Sequence, residues 1–550
     1  MPRLSARTLA VSLLATSGSA LLASCQLLKL PSAQAPTGLL AETMLVPDNS
    51  VLILSMTTDS KKVAESAPAS LQTQIQEWQR QMWAEVKAEE MDQYLAAVDS
   101  WAGEQITLAV VDPNLQPGDE EGIPGFLIAV TTQDAQASSQ FLAEIRQAAS
   151  QEGAEFSEQQ KDGVKLHLQT NGQLGEALIT GEFGKNYVAI ANDPQVMERA
   201  VQAFRGQSLG ESPQFQSIVK DVFQEGTLAF AYLNTPALLS DPDLMAEFTD
   251  GMDTEVDVDS LKSLEAFGGI AAAARWNEAG LLIKTQVDLQ ADSLFQPING
   301  SPMASGKVIQ RLPGNALAVF SATHPGPSWQ ARTELLKKQD PTASTALDEL
   351  RDLFKSSTQM DLDKDVLSWM DGEVALAVLP DQNASPLLQG MGAVLVVETS
   401  QKEQANATLD KLDALARQSR LKVTQQGDQT LWGDPFFGQP LVTRSWSDNY
   451  LVLASSGAAV QAFIQGEGSL LPQTQPLQTL YDSLSQPNYG YFLLNWQGVI
   501  EMVETTLPGS LTLDAETRTA LKSLEAMGMT SYAVDQNSLG FDLLITVPNP

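Results

Sequence analysis

Six side chains in this sequence are of types, and at places, where chemistry is done. Cys25 is the one cysteine among 550 residues, and His167 and His324 are the two histidines. Asp361, Asp363 and Asp365 stand at alternate positions in Asp361-Leu362-Asp363-Lys364-Asp365. A thiol can act as nucleophile or metal ligand, and histidine is the usual proton carrier near neutral pH. A carboxylate ladder suits calcium, which takes about six to eight oxygens.

Context weakens each candidate. A calcium loop of the EF-hand type needs Gly at its sixth place and a bidentate Glu at its twelfth. Val366 and Gly372 stand there instead, with Glu373 one step late. An acidic helix start before Val366 is the simpler reading, and Asp361, Asp363 and Asp365 are a weak calcium candidate beside it. A second acidic run, from Asp250 to Asp259, reads the same way, before a helix expected at Leu261. His167 sits in the alternating stretch Lys165-Leu166-His167-Leu168-Gln169, on a strand face turned from the core. His324 lies in the turn Thr323-His324-Pro325-Gly326. No H-E-x-x-H pair occurs. Gly300 to Lys307 resembles a phosphate loop only superficially: its glycines are one residue too far apart, and Val308 replaces the magnesium-binding hydroxyl. The residues therefore name no catalytic group and no cofactor.

Cys25 has a different meaning. Arg3 and Arg7 precede an apolar stretch from Leu9 to Leu14, and Leu22-Ala23-Ser24 leads into the cysteine. That layout is a secretory signal, too short and too polar for a spanning helix of about 20 residues. Leu-Ala-Ser-Cys resembles a bacterial lipobox, which implies cleavage before Cys25 and diacylation of its thiol. Residues 1–24 then form a lipoprotein signal peptide and residues 25–43 a tether. The resemblance places the protein in the cell envelope, held to a membrane by lipid and facing the periplasm. Once Cys25 is acylated, no disulfide and no zinc–thiolate site is possible.

Lys plus Arg number 33 against 67 Asp plus Glu, a formal charge of −34. Such a surface repels nucleic acid and anionic headgroups and favours neutral or cationic partners, such as other envelope proteins. With 43% hydrophobic and 18% charged residues the chain has the composition of a folded protein.

The sequence also repeats itself. Leu261-Lys262-Ser263-Leu264-Glu265-Ala266 recurs 260 residues on, from Leu521 to Ala526. Pro47 before Val51–Ser55 matches Pro313 before Leu317–Ser321, and Ser100-Trp101 with Gly103-Glu104 matches Ser368-Trp369 with Gly372-Glu373. Asn186-Tyr187 matches Asn449-Tyr450, and Leu233-Asn234 matches Leu494-Asn495. Trp101 and Trp369 read as anchors of a turn to the core. Pro297, Gly300, Pro302 and Gly306 mark a seam. Two homologous repeats, at 44–295 and 308–550, are expected, joined by a linker at 296–307. This order of landmarks resembles a bacterial, mostly cyanobacterial, family of envelope proteins classed as a domain of unknown function. The resemblance implies a fold and lends no activity.

The elements that must position all this are short β-branched strands and amphipathic helices. Strands are expected at Ile106–Val111, Phe126–Thr131, Tyr187–Ala191, Val374–Leu379 and Tyr450–Ala454, among others. Leu71, Ile75, Trp78, Met82 and Val86 mark one helical face, as do Phe141, Leu142 and Ile145, and Ala405, Leu409 and Leu412. Asp193-Pro194 is a helix start. Closely spaced strands such as Val164–Leu168, Ala177–Thr180 and Tyr187–Ala191 allow hairpins. The fold class expected is α+β, each repeat a mostly antiparallel sheet with helices packed on one face. The function expected is a non-catalytic, lipid-anchored binding or scaffold module. The alternatives are a hydrolase dependent on carboxylates or a divalent cation, and an envelope folding or assembly helper.

Overall fold

A computed structural model of the protein describes residues 40–58, 67, 72, 98, 100–112, 124–171, 177–240, 263–290, 293, 303–304, 306–339, 341–384, 390–433, 440–465, 470–506 and 523–548. Cys25, the face from Leu71 to Val86 and the run from Asp250 to Asp259 lie outside the described residues, as does most of the seam. Contacts divide the chain into two compact units, residues 1–278 with 282–293 and 549–550, and residues 279–281 with 294–548.

The strands of the first unit are β1 (Leu52–Thr57), β2 (Ala102–Asp112), β3 (Gly125–Thr132), β4 (Phe156–Lys161), β5 (Val164–Gln169), β6 (Ile179–Phe183), β7 (Tyr187–Ala191), β8 (Thr227–Leu233), β9 (Phe267–Trp276) and β10 (Gly280–Leu289). Their order is β4-β5-β6-β7-β3-β2-β1-β8-β9-β10, and the pairs from β4 to β9 are antiparallel. Between them run α1 (Ala135–Gln151), α2 (Pro194–Ala203), α3 (Pro213–Val222) and α4 (Thr235–Leu239). Asp193 starts α2 as its side chain demands, accepting the Gln195 N–H at 2.6 Å, with Pro194 at the first helical position. Asp134 does the same for α1 through the N–H groups of Gln136 and Ala137.

Helices lie on both faces of this sheet, which corrects the expectation of one. Leu127 and Ala129 of β3 pack with Val196 and Ala200 of α2 and Phe215 of α3. Ile128 and Val130 pack with Phe141 and Leu142 of α1 and with Trp101. Successive side chains of a strand point to opposite faces, so α1 lies opposite α2 and α3. The run Phe126 to Val130 is apolar at both parities, as a strand covered twice must be.

The strands of the second unit are β11 (Ala318–Thr323), β12 (Glu373–Pro380), β13 (Met391–Glu398), β14 (Lys422–Gln426), β15 (Gln429–Gly433), β16 (Pro440–Ser447), β17 (Tyr450–Ala454), β18 (Tyr491–Asn495), β19 (Ala526–Ala533) and β20 (Ser538–Thr546). Their order is β14-β15-β16-β17-β13-β12-β11-β18-β19-β20, antiparallel throughout. It is the order of the first unit with every index raised by ten. The helices are α5 (Pro325–Gln339), α6 (Pro341–Thr358), α7 (Lys402–Gln418), α8 (Gly457–Gln465), α9 (Leu477–Ser483) and α10 (Trp496–Thr506).

Anchoring contacts also correspond. Pro47 bridges Ser208 as Pro313 bridges Leu470. The Asn234 N–H donates to the Val51 carbonyl at 2.9 Å, and that of Asn495 to Leu317 at 2.8 Å. Trp101 and Trp369 are both 3% exposed, and their carbonyls accept the hydroxyls of Thr132 and Thr399. The helix start expected at Leu261 lies outside the described residues; from Ser263 to Ala266 the chain makes a 3-10 turn that runs directly into β9.

Candidate functional site

The second unit presents an apolar surface on the side of its sheet opposite the buried residues Val319, Ala377 and Leu493. One cross-strand row runs Leu395, Leu376, Phe320, Phe492, Met529, Leu543 over six strands. The next runs Ala393, Val378, Ala318, Leu494, Met527, Ile545. All twelve are apolar, although an antiparallel sheet with one open face ordinarily sets polar residues there. Phe320 is 58% exposed, Met529 43% and Leu376 40%. Strand spacing of about 4.8 Å and same-face spacing of about 6.8 Å give the two rows about 400 Å². The open patch is the part of that footprint around Phe320, Leu376 and Met529, and contiguous apolar patches of a few hundred Å² are often functional. At the β13 side α7 covers the face, packing Leu409 and Ala405 on Val397 and Leu395. Towards β11, β18 and β19 the face is open. In the first unit the corresponding row, Ile128, Leu108, Leu54, Ala231, Ala272, is also apolar. Among the described residues, however, the exposed large apolar side chains all belong to the second unit.

The acidic ladder does not converge. Asp361 caps a π-helical turn, Leu362–Leu367, accepting the N–H groups of Asp363 and Lys364 at 3.1 and 3.0 Å. Asp363 accepts the Trp329 indole N–H of α5 at 2.7 Å and pairs with Arg351 of α6 at 2.9 Å. Asp365 pairs with Lys411 of α7 at 2.8 Å and accepts the Asp361 N–H at 2.7 Å. The Lys411 hydrogen bond and that backbone N–H hold its carboxyl below the usual range. Asp361 thus caps the turn, while Asp363 and Asp365 tie three helices to it. Among the described residues no three His, Cys, Asp or Glu side chains are placed to hold a metal ion. Two exposed leucines, Leu350 and Leu353, stand one helical turn apart on α6, beside the anchored Arg351.

The other candidates are scattered. His167 of β5 is half-buried, and burial, with Arg146 and Lys165 nearby, keeps its pKa below the ordinary value. His324 takes a left-handed backbone, φ 48°, and its N–H donates to the Gly372 carbonyl at 2.8 Å. An open cleft of about 590 Å³ lies between the β14–β15 turn and α8, lined by Gln426, Asp428, Gln429, Ser445 and Gln461 among others. Among the described residues Asp428 is its one ionisable lining group, and no acid–base pair is assembled by them there. Among the described residues two carboxyls are raised by burial, Glu42 to about 7 and Glu525 more modestly, and neither lines the cleft.

The apolar face carried a sequence signal. Val374–Leu379 and Ala393–Val397 are apolar at both parities, which demands burial on two sides or leaves one face open to bind. Which of the two applies depends on partner strands and helices that no local pattern reveals.

A family model described as "Protein of unknown function (DUF3352)" matches residues 5–547. No curated protein matches the chain. Among solved structures, crystal form III of TP0453 is 9% identical with a TM-score of 0.27, over 48% of this chain and 83% of that one. Crystal form IV of TP0453 is 6% identical with a TM-score of 0.26, over 45% and 80%. Likenesses of that size define neither fold nor activity.

Proposed function

We propose, from the premise that the chain belongs to the DUF3352 family of proteins of unknown function, that it is a non-catalytic, lipid-anchored envelope protein that binds other envelope proteins. The single observation that carries the binding role is the open apolar face around Phe320. A broad, flat surface without charge suits an apolar polypeptide surface, because an acyl chain is better held in an enclosed tunnel and a charged partner would be desolvated without a counter-ion. The charge of −34 around it favours partners with neutral or cationic flanks.

The two units read as products of a tandem duplication. Support comes from their common strand order, from the paired Pro47 and Pro313 bridges, and from the recurring Leu-Lys-Ser-Leu-Glu-Ala. Among the described residues one copy keeps large apolar side chains exposed and the other does not, as expected where one copy has specialised. Lipid anchoring at Cys25 rests on the Leu-Ala-Ser-Cys sequence: Cys25→Ala should move the protein from the membrane to the soluble envelope fraction. An assembly helper would use the same face, but for many unfolded apolar chains rather than one partner.

The test is a photo-reactive benzophenone residue in place of Phe320 in cells, with Asp428, on the exposed β14–β15 turn, as control. A discrete adduct from position 320 and none from 428 supports the reading. No adduct from 320, or the same adducts from both, defeats it.

A further inference from the structure

The first described residues of the chain carry a feature that neither binding nor anchoring uses. Residues 40–48 are stitched to the first unit. A 3-10 turn spans Ala41–Leu45, and the Leu209 N–H donates to the Val46 carbonyl at 2.7 Å. Pro47 bridges Ser208, while Leu40, Leu45 and Val46 join the core cluster. In the middle of this segment Glu42 is 3% exposed. Its Oε1 accepts the Thr131 hydroxyl at 3.0 Å, and its Oε2 has no hydrogen-bond partner. A buried carboxylate oxygen without a donor is costly, whereas a protonated carboxyl in the same place is far less so.

We propose that Glu42 is a proton-operated latch for residues 40–48: the neutral acid seats the segment on the first unit, and loss of its proton to solvent loosens the seat. The corresponding junction of the second unit shows the contrast. There Glu373 of β12 accepts the Val308 N–H at 3.0 Å, so its carboxylate has the donor that Glu42 Oε2 lacks.

Among the described residues, the surroundings of Glu42 offer no counter-ion. The segment packs on β2, β3, α2 and the 3-10 turn Leu209–Glu211. From β2, Glu104 adds like charge, and burial is the largest influence on Glu42, while its own N–H and the Thr131 hydroxyl and N–H pull the other way. On β7 the Tyr187 phenol is raised by burial and then by Glu42. Of the charged groups on α2, Glu198 pairs with Lys161 and Arg199 donates to the Val111 carbonyl. Glu211 is exposed.

The sign follows from the shift. Glu42 rises from 4.5 to about 7 when the segment is seated. Seating is then strongest below pH 4.5, weakens about tenfold per unit up to about 7, and is level above that. The span is about 300-fold.

Hydrogen exchange on the full chain reads this directly. After correction for intrinsic rates, protection of the Leu209 amide should fall about 100-fold from pH 5 to pH 8, while that of Ala189 in β7 stays level. Glu42→Gln should hold Leu209 at its acid-side protection at both pH values. Equal protection at pH 5 and 8 in the native protein, or the same fall in the variant, overturns the latch. Should the variant fail to fold, the ¹³C carboxyl titration of Glu42 in the native protein decides: a midpoint near 7 supports the latch, and one below 5 refutes it.

Discussion

Asp363 offers a quantitative test of the acidic ladder as a helix junction. Removing its carboxylate by Asp363→Ala deletes the 2.7 Å bond from Trp329 and the 2.9 Å pair with Arg351. Hydrogen bonds to charged groups contribute about 1.5–3 kcal/mol each. The pair is partly exposed, 18% and 30% at the two side chains, and Arg351 keeps Asp348 at 2.8 Å. Screening and that second partner place the total near the low end, about 2–3 kcal/mol. Asp363→Asn keeps a carbonyl for the indole and loses only the ion pair, so about 1 kcal/mol is expected. Urea unfolding followed by circular dichroism, at constant m, measures both. Calcium should leave the midpoint of the native protein where it is, because a ligand that binds only the folded state would raise it. If Asp363→Ala costs under about 0.5 kcal/mol, or if calcium stabilises the native protein and not the variant, the junction reasoning is wrong.

Three further outcomes are expected. Phe320→Glu should cost under about 1 kcal/mol because most of the ring is already wet, whereas Val319→Asp, one residue away in the core, should prevent folding of the second unit; denaturation of both variants checks the pair. Asp413→Ala should cost about 3–5 kcal/mol, since it orphans Arg444 and the Trp432 indole, each held at 2.7 Å in a buried site; Asp413→Ala in an Arg444→Leu background should cost much less. Gly103→Ala should destabilise by about 1–3 kcal/mol in thermal melts, because a Cβ there would stand 1.8 Å from the Thr131 hydroxyl oxygen, which is fixed by its bond to Glu42.

Local chemistry was legible where it is local. Tyr187–Ala191 and Tyr450–Ala454 are strands with the bounds their β-branched runs suggest, and Asp193-Pro194 opens α2 because capping needs only neighbouring atoms. Polar edge strands were not legible. Phe156–Lys161 holds its place by pairing with β5, and its exposed polar residues give no apolar period to read. The partners of the acidic ladder were not legible for a related reason: Trp329, Arg351 and Lys411 come from three helices, and nothing in Asp361–Asp365 announces them. The second helical layer was foreshadowed by apolar residues at both parities in Phe126–Val130, a pattern that outweighs the expectation of helices on one face.

The open face of the second unit can be probed without knowing its partner. Nile red, a neutral dye that brightens on apolar surfaces, is titrated with the native protein and with the Phe320→Glu/Met529→Glu double variant. Bright, saturable binding by the native protein, lost in a variant that melts at the same temperature, is the expected result. A native protein that leaves the dye dark, or a variant that binds it equally well, would contradict an accessible apolar face.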